Sequence, residues 1–226
     1  MEHFVIQPLS ILWYRGMGFS ILSIVAIILF FRNRKRSVQE NFMKILSFIF
    51  FIAYIYGVIY QVRNGIWTIQ DSLPLHLCEF SFIICAISLY KPINWMFEWC
   101  LYLSIPSAIH AILTPELTMG KSDWMLFDYY LTHSAMILVP LYLIIVMGMK
   151  VRKNAWIKSI FYIQILLVIN LIVNSILDSN YMYLQNKPHV NNPFLFGDWP
   201  WYILVVEFIM IVHVLLIHFI FKNRIK

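Results

Sequence analysis

The stretch LWYRGMGFSILSIVAIILFF, Leu12–Phe31, is interrupted by a single charged residue, Arg15, and is followed at once by the basic run RNRKR, Arg32–Arg36. About 20 consecutive, mostly apolar residues suffice for an α-helix to cross the hydrocarbon core of a bilayer. Lysine and arginine accumulate in the cytoplasmic connections of such helices. The stretch is therefore predicted to span a membrane, with its C-terminal end in the cytoplasm.

The composition of the whole chain extends this interpretation. The 226 residues are 61% hydrophobic and 12% charged, with a mean hydropathy of +0.75, whereas soluble domains average about 45–50% apolar and about 25% charged residues. Only 7 Gly, 9 Pro and 3 Cys exclude collagen-like and disulfide-rich chains. The net charge of +6 comes from basic residues that punctuate apolar runs, which argues against nucleic-acid binding. A polytopic membrane protein is predicted.

Apolar runs of spanning length recur along the entire chain. We predict an all-α, seven-transmembrane-helix bundle with spans at 12–31, 42–60, 73–90, 95–113, 127–149, 155–177 and 200–221. The connections are short, so residues 1–226 are expected to form one polytopic membrane domain. No Walker or dinucleotide glycine pattern is present, so no nucleotide is expected.

The basic residues predict an orientation for these spans. Of the 17 lysines and arginines, 13 lie in the first, third and fifth connections and in the C-terminal tail. Acidic residues gather in or beside the other connections; they are Asp71, Glu116, Asp123, Asp128, Asp178 and Asp198. We therefore expect the N-terminus outside and the C-terminus in the cytoplasm.

Polar groups inside a bilayer are costly, so their positions are a functional signal. Five spans carry such groups in their predicted outer halves: His76, Cys78 and Glu79; Ser107 and His110; Asp128, Tyr129 and His133; Asn170 and Asn174; and Glu207. The predicted inner halves carry almost none. A cavity open to the outer leaflet is the simplest explanation.

Cys78 is the candidate nucleophile within this set. It follows His76 at the start of the third span, at about the depth of lipid ester groups, and a helix N-terminus and a nearby imidazole both favour the reactive thiolate. Glu79, next to it, acts in the opposite direction unless it is protonated or orients a histidine. Cys85 and Cys100 are predicted to be small buried hydrophobes.

A cysteine nucleophile needs a general base within hydrogen-bond reach. His133 is the preferred base, since it lies one turn deeper than Asp128, and His76 and His110 are the alternatives. We assign substrate binding to His110, Asn170, Asn174, Tyr181 and Glu207, although Glu207 also suits a helix-packing role. His213 and His218 are predicted to be interfacial.

No cofactor or metal is expected. A zinc site from His76, His110 and His133 is conceivable, but the chain contains neither an HExxH nor a CxxC motif.

Four segments together carry a family resemblance: LPLHLCEF (Leu73–Phe80), DYYLTHSAMILVP (Asp128–Pro140), NLIVNSILDSNYMYLQNKP (Asn170–Pro188) and GDWPWYIL (Gly197–Leu204). They resemble the YwaF family of bacterial seven-span proteins and, more distantly, the animal transmembrane protein 164 family. The first resemblance implies a multi-pass protein of the bacterial cell membrane. The second implies a coenzyme-A-independent acyltransferase that moves acyl chains between phospholipids, with its motif cysteine at Cys78 and its motif histidine at His76.

These observations predict a cysteine-dependent lipid acyltransferase at the outer leaflet, with membrane phospholipids as its partners. Water in place of the acyl acceptor would make the protein a lipid hydrolase. An outer-facing solute-binding or transport protein without catalytic activity is the alternative, and a subunit whose cavity is closed by another protein is a third. The oligomeric state, the donor lipid and the acceptor stay open.

Overall fold

The computed structural model describes residues 4–188, 190, 192 and 194–225, and they form a helical bundle. Its α-helices are α1 (Ile11–Phe31), α2 (Arg36–Arg63), α3 (Leu77–Tyr90), α4 (Asn94–Trp99), α5 (Ile105–Leu113), α6 (Asp123–Leu141), α7 (Ala155–Leu177) and α8 (Trp201–Ile220). A π-helical segment, Cys100–Ser104, joins α4 to α5, and a second one, Tyr142–Val146, extends α6.

The helices identify a multi-pass membrane protein. In the part of the chain that the structure describes, six helices are long and apolar enough to cross a membrane, counting α4 to α5 and α6 with its extension as one each. The outward faces of α7 and α8 carry large exposed apolar side chains, among them Phe161, Ile176 and Phe208. Such a surface is stable only against lipid.

The third predicted span, 73–90, begins too early. The helix starts at Leu77, contains 14 residues and has His76 at its N-cap. Leu73 lies in the preceding turn, where its backbone N–H donates to the Tyr181 hydroxyl at 3.0 Å. The leucines of this turn are as apolar as those of a helix, so hydropathy does not separate the turn from the helix. Their backbone groups, however, form hydrogen bonds outside the helix.

The other predicted spans overlap the helices, with ends that differ by at most six residues. The sixth has the same bounds as α7, whereas α2 is longer than the predicted 42–60 at both ends. The fifth begins at Asp123 and ends at Val146 instead of 127–149. Gly148, with a φ of 71°, turns the chain just beyond that end.

One half of the bundle, the closed half, is closely packed. It consists of the second part of α3 from Ile84, the segment from Asn94 to Ser104, and the segment from Leu138 to Ala155. Cys85, Cys100 and Tyr102 have no exposed surface. The Sγ atoms of the two cysteines lie 3.5 Å apart, and both thiols are free. These residues belong to the main hydrophobic core.

A buried ion pair closes this half at its end. Glu98 is completely buried, and its carboxylate accepts from the Arg152 Nε at 2.9 Å and from the Arg152 backbone N–H at 3.0 Å. The neighbouring Val151 N–H donates to the Arg224 carbonyl at 2.9 Å, so the segment after α8 is attached to the same place.

The opposite end of the bundle is built from turns and loops. Strand β1 (Phe4–Val5) pairs antiparallel with strand β2 (Glu116–Leu117), which lies between α5 and α6. A short 3₁₀ helix, Tyr181–Tyr183, follows α7. Residues of β2 and of this 3₁₀ helix line part of an internal cavity.

Candidate functional site

The cavity has a volume of about 490 Å³ and lies among α2, α3, α5, α6 and α8. Apolar side chains from α2 and α8, such as Ala53, Val206 and Met210, line part of its wall. The polar side chains that line it include Asp71, His76, Cys78, Glu79, Ser107, His110, Glu116, Asp128, Tyr129, His133, Tyr183 and His213. The cavity therefore offers apolar and polar walls in one space, as a lipid with its headgroup requires.

Cys78 is the cysteine of the cavity. It lies in the first turn of α3, is partly exposed, and is close to the Ser107 hydroxyl. Cys85 and Cys100 are buried in the closed half, in contact with each other. Because the first N–H groups of a helix have no partner within it, they present positive charge near the Cys78 sulfur.

His133 presents an unprotonated nitrogen when its ring is neutral. Its Nδ1 lies 2.7 Å from the Tyr129 carbonyl oxygen, which accepts only, so Nδ1 must carry the proton. The Nε2 of this buried ring is then left as an acceptor. A neutral His133 is thus in the tautomer that a general base needs.

His76 is held in the opposite tautomer. Its Nδ1 accepts the Met182 backbone N–H at 3.2 Å, so the proton of the neutral ring lies on Nε2. The ring packs between Tyr181 and Tyr183, with centroid distances of 5.3 and 5.2 Å. His76 is therefore oriented as a hydrogen-bond donor.

The sequence profile of the TMEM164 family matches residues 3–218. The chain belongs to the TMEM164 family. Comparison with curated proteins and with solved structures gives no match.

Membership in this family is consistent with a membrane acyltransferase-like function. The matched residues include α1 to α7 and nearly all of α8. The candidate cavity thus lies within the matched part of this TMEM164-family chain.

The turn after α7 has a strained backbone. Met182 and Tyr183 have φ values of 56° and 55°, and Asp178 at the end of α7 has 50°. Such left-handed conformations are uncommon for residues other than glycine and concentrate at functional sites. Here they bring the Met182 N–H to His76.

Asn174 and Tyr181, predicted to bind substrate, hold this turn instead of lining the cavity. The Asn174 carboxamide accepts from the Tyr181 N–H at 2.8 Å and donates to the Tyr181 carbonyl at 2.9 Å. The Tyr181 hydroxyl donates to the Ile69 carbonyl at 2.6 Å. Both residues are buried behind the cavity wall.

Asn170 and Glu207 also lie outside the cavity lining. Asn170 is fully buried, and its Nδ2 donates to the Leu166 carbonyl and to the Met182 sulfur. The Glu207 carboxyl accepts from the Gln164 side chain of α7. The structure thus brings together Cys78, His76, His133 and His110, but not the other four predicted residues.

His213 belongs to the cavity, contrary to its predicted interfacial position. Its Nε2 lies 3.4 Å from the Nε2 of His110, which connects α8 to α5. Sequence reasoning missed this residue because hydropathy does not reveal which helices are neighbours. His218, also predicted to be interfacial, is partly buried, with its Nδ1 3.0 Å from the Tyr102 hydroxyl.

The cavity wall is rich in acidic residues. Four acidic residues line it, Asp71, Glu79, Glu116 and Asp128, and its described lining includes neither lysine nor arginine. Burial raises the pKa of Tyr183, as do the carboxylates of Glu116 and Glu79. The Tyr183 hydroxyl therefore keeps its proton at neutral pH and is available as a donor.

Within the described ranges, no group of three or more His, Cys, Asp or Glu side chains is arranged to hold a metal ion. His76, His110 and His133 therefore do not assemble into the zinc site that the sequence made conceivable.

Proposed function

We propose that this protein is a coenzyme-A-independent lipid acyltransferase that uses Cys78 as its nucleophile. The observation that carries the proposal is the presence, in one membrane cavity, of a partly exposed thiol and two histidines held in opposite tautomers. The family match is consistent with acyltransferase-like chemistry. The four matching motifs support a place in the bacterial YwaF branch.

The first half-reaction breaks a phospholipid ester. His133 Nε2 takes the proton of Cys78, and the thiolate attacks the ester carbonyl carbon. His76 Nε2–H and the free N–H groups of the first turn of α3 are the donors proposed for the oxyanion. Collapse forms an acyl-thioester on Cys78, and the lysolipid leaves with the proton held by His133.

The second half-reaction reverses these roles. The hydroxyl of an acceptor lysolipid gives its proton to His133 and attacks the thioester carbonyl. The new ester forms, the C–S bond breaks, and the proton returns to the Cys78 sulfur. Acyl-CoA is not needed, because the complete exchange breaks one oxygen ester and forms another of equivalent energy. Water as acceptor would give hydrolysis.

The proposed substrates are phospholipids whose headgroup carries an ammonium. The acidic residues of the wall, among them Glu79 and Asp128, favour a positive group. The absence of lysine and arginine from the described lining disfavours a headgroup with net negative charge. The apolar residues of α8 provide a surface for the acyl chain.

The proposed topology has seven spans, the N-terminus outside and the C-terminus in the cytoplasm of a bacterial cell. Two contacts join segments that carry basic residues at one end of the bundle. The Arg36 side chain donates to the Met147 carbonyl, and Val151 N–H bonds the Arg224 carbonyl. Positive residues next to the spans favour the cytoplasmic side, so in the proposed topology the cavity faces the outer leaflet.

A solute-binding or transport role is the second candidate, because acidic residues in a cavity also suit a cationic solute. The closed half counts against transport. It contains fully buried aromatic and aliphatic side chains such as Tyr102 and Leu143, and the cavity does not extend through them.

The test is acyl transfer in nanodiscs. Purified protein receives an acyl-labelled zwitterionic phospholipid and an unlabelled lysophospholipid, without coenzyme A. The expected result is a labelled diacyl product that Cys78→Ser abolishes, while Cys85→Ala and Cys100→Ala retain it. Transfer that survives Cys78→Ser, or a wild-type protein that releases and transfers no acyl chain, would overturn the proposal.

Labelling with an alkynyl iodoacetamide tests the nucleophile separately. Cys78 is expected to react much faster than the two buried cysteines, and His133→Ala is expected to slow its reaction. Equal reactivity of all three thiols in the folded protein would contradict the assignment.

A further inference from the structure

His110 and His213 form a second, distinct cluster in the cavity. They come from different helices, α5 and α8, and both are partly buried. Their rings are inclined by 74° with centroids 5.0 Å apart, so they are not stacked. Their closest approach joins the two Nε2 atoms, at 3.4 Å. Neither residue has a role in the proposed acyl transfer.

The distance between these nitrogens is long for a hydrogen bond but suits a shared metal ion. N–H hydrogen bonds in proteins usually measure about 2.9–3.0 Å between heavy atoms. Two imidazole nitrogens, each about 2.05 Å from a tetrahedral Zn²⁺, lie about 3.3–3.4 Å apart. The observed 3.4 Å matches the second geometry.

The tautomer of His213 is the one that a metal ligand needs. Its Nδ1 lies 2.7 Å from the Ile209 carbonyl oxygen, which makes Nδ1 the donor and leaves Nε2 with a free lone pair. Metal-ligating histidines characteristically donate their second nitrogen in this way, because the bond fixes the tautomer and the ring orientation.

We propose that His110 and His213 form a binding site for a divalent transition-metal ion, of which Zn²⁺ is the clearest example. Both imidazoles bind in their neutral form through Nε2. The proton of the His110 ring moves from Nε2 to Nδ1, so no proton is released by the pair.

The remaining coordination positions are filled by water. The described residues contain no group of three or more His, Cys, Asp or Glu that would complete a protein-only site. The ion is therefore held reversibly, more weakly than structural zinc, and it ties α5 to α8 across the cavity. Imidazole ligands suit Zn²⁺, Cu²⁺ and Ni²⁺ over Mg²⁺ and Ca²⁺, and this order is part of the proposal.

The experiment titrates Zn²⁺ by calorimetry into full-length protein in nanodiscs, in a Cys78→Ser background that removes the accessible thiol as a competing ligand. One equivalent is expected to bind and to raise the unfolding temperature, whereas Mg²⁺ does neither. His110→Ala and His213→Ala are each expected to weaken binding by about tenfold or more. His218→Ala, on the same helix as His213, is the matched control and should bind as before.

A spectroscopic measurement covers the case in which a variant fails to fold. Cu²⁺ bound to the Cys78→Ser protein with both histidines present should show coupling to two imidazole nitrogens by electron paramagnetic resonance. Absence of one-equivalent binding, coupling to fewer than two imidazoles, or unchanged affinity in folded His110→Ala and His213→Ala variants would overturn the proposal. The outcome does not depend on acyl transfer, so it stays separate from the proposed function.

Discussion

Polar side chains form different kinds of hydrogen bonds in the two halves of the bundle. In the closed half, Trp99 Nε1 donates to the Ser81 hydroxyl in the first part of α3 at 3.0 Å, and Glu98 pairs with Arg152. In the half that contains the cavity, histidines bond to backbone groups with one nitrogen and leave the other free. His133 and His76 are the examples.

The three cysteines show the same difference between the two halves. Cys85 and Cys100 contact each other at 3.5 Å and have no exposed surface, whereas Cys78 is partly exposed in the cavity. We therefore expect the reactivity of a polar group in this chain to depend on whether its hydrogen-bonding positions are already occupied within the protein.

The largest effect is expected for His133→Ala. General-base catalysis contributes about 10²–10⁴-fold to a rate, so acyl transfer should fall by that factor while the protein stays folded. Rates are measured with the labelled phospholipid in nanodiscs.

His218→Gln on α8 is the control for His133, because His218 contacts the closed half. Its partner is the Tyr102 hydroxyl, and neither residue lines the cavity, so the rate of acyl transfer by this variant should stay near that of the unmodified protein. If both variants lost activity equally, the distinction between the two halves would fail.

Arg152→Ala tests the closed half. It leaves the fully buried Glu98 carboxylate without its guanidinium partner, a change that costs about 3–5 kcal/mol in buried pairs. We expect a loss of about 3 kcal/mol in the free energy of unfolding, the lower end of that range, because the arginine is partly exposed.

The neighbouring Lys153 is exposed and provides the matched control for Arg152. Chemical denaturation in detergent should show little change for Lys153→Ala.

Glu98 raises the pKa of the Arg152 guanidinium further. A raised pKa contributes stability that is lost only as the pH rises through the folded-state pKa, so deprotonation of Arg152 should not weaken the pair at neutral pH. An Arg152 variant as stable as Lys153→Ala would contradict this account.

Asn174→Ala tests the turn that positions His76. It removes the partners of the Tyr181 N–H and carbonyl and of the Ser179 hydroxyl. Leaving buried groups unpaired costs about 1–3 kcal/mol, and we expect a loss of about 2 kcal/mol in stability. Asn180→Ala, which affects exposed loop bonds, should cost clearly less; a larger loss there would reverse the argument.

The smallest effect is expected for Gly57→Ala on α2. A Cβ at this cavity-lining glycine would meet no atom within 4 Å, so stability should change by less than about 1 kcal/mol. Gly16→Ala is the contrast, because its Cβ would collide with the Tyr130 ring. Thermal unfolding of the two variants should separate them; equal losses would contradict the open wall at Gly57.

Much of the bundle was predictable from hydropathy, because a helix that contacts lipid must be apolar. The apolar run of α7 has the predicted bounds. The start of α3 was not predictable in this way, since Leu73 and Leu75 are apolar whether or not their backbone is helical. The π-helical segment Cys100–Ser104 likewise leaves no signature in an apolar sequence.

The candidate site was predictable only in part. Polar residues at matching depths indicated one cavity, and Cys78, His76, His110 and His133 line it. The depth of a residue in the membrane does not show which face of the helix it lies on, however. The sequence therefore does not reveal that Asn174 bonds to a turn.

The most direct test of the central claim is a search for the acyl-thioester itself. Protein incubated with acyl-labelled phospholipid and no acceptor is quenched in acid, digested and analysed by mass spectrometry. The account predicts an acyl group on the peptide that contains Cys78, released by hydroxylamine and lost when a lysophospholipid is added before quenching. A stable, unacylated Cys78 under conditions in which the protein still transfers acyl chains would contradict it.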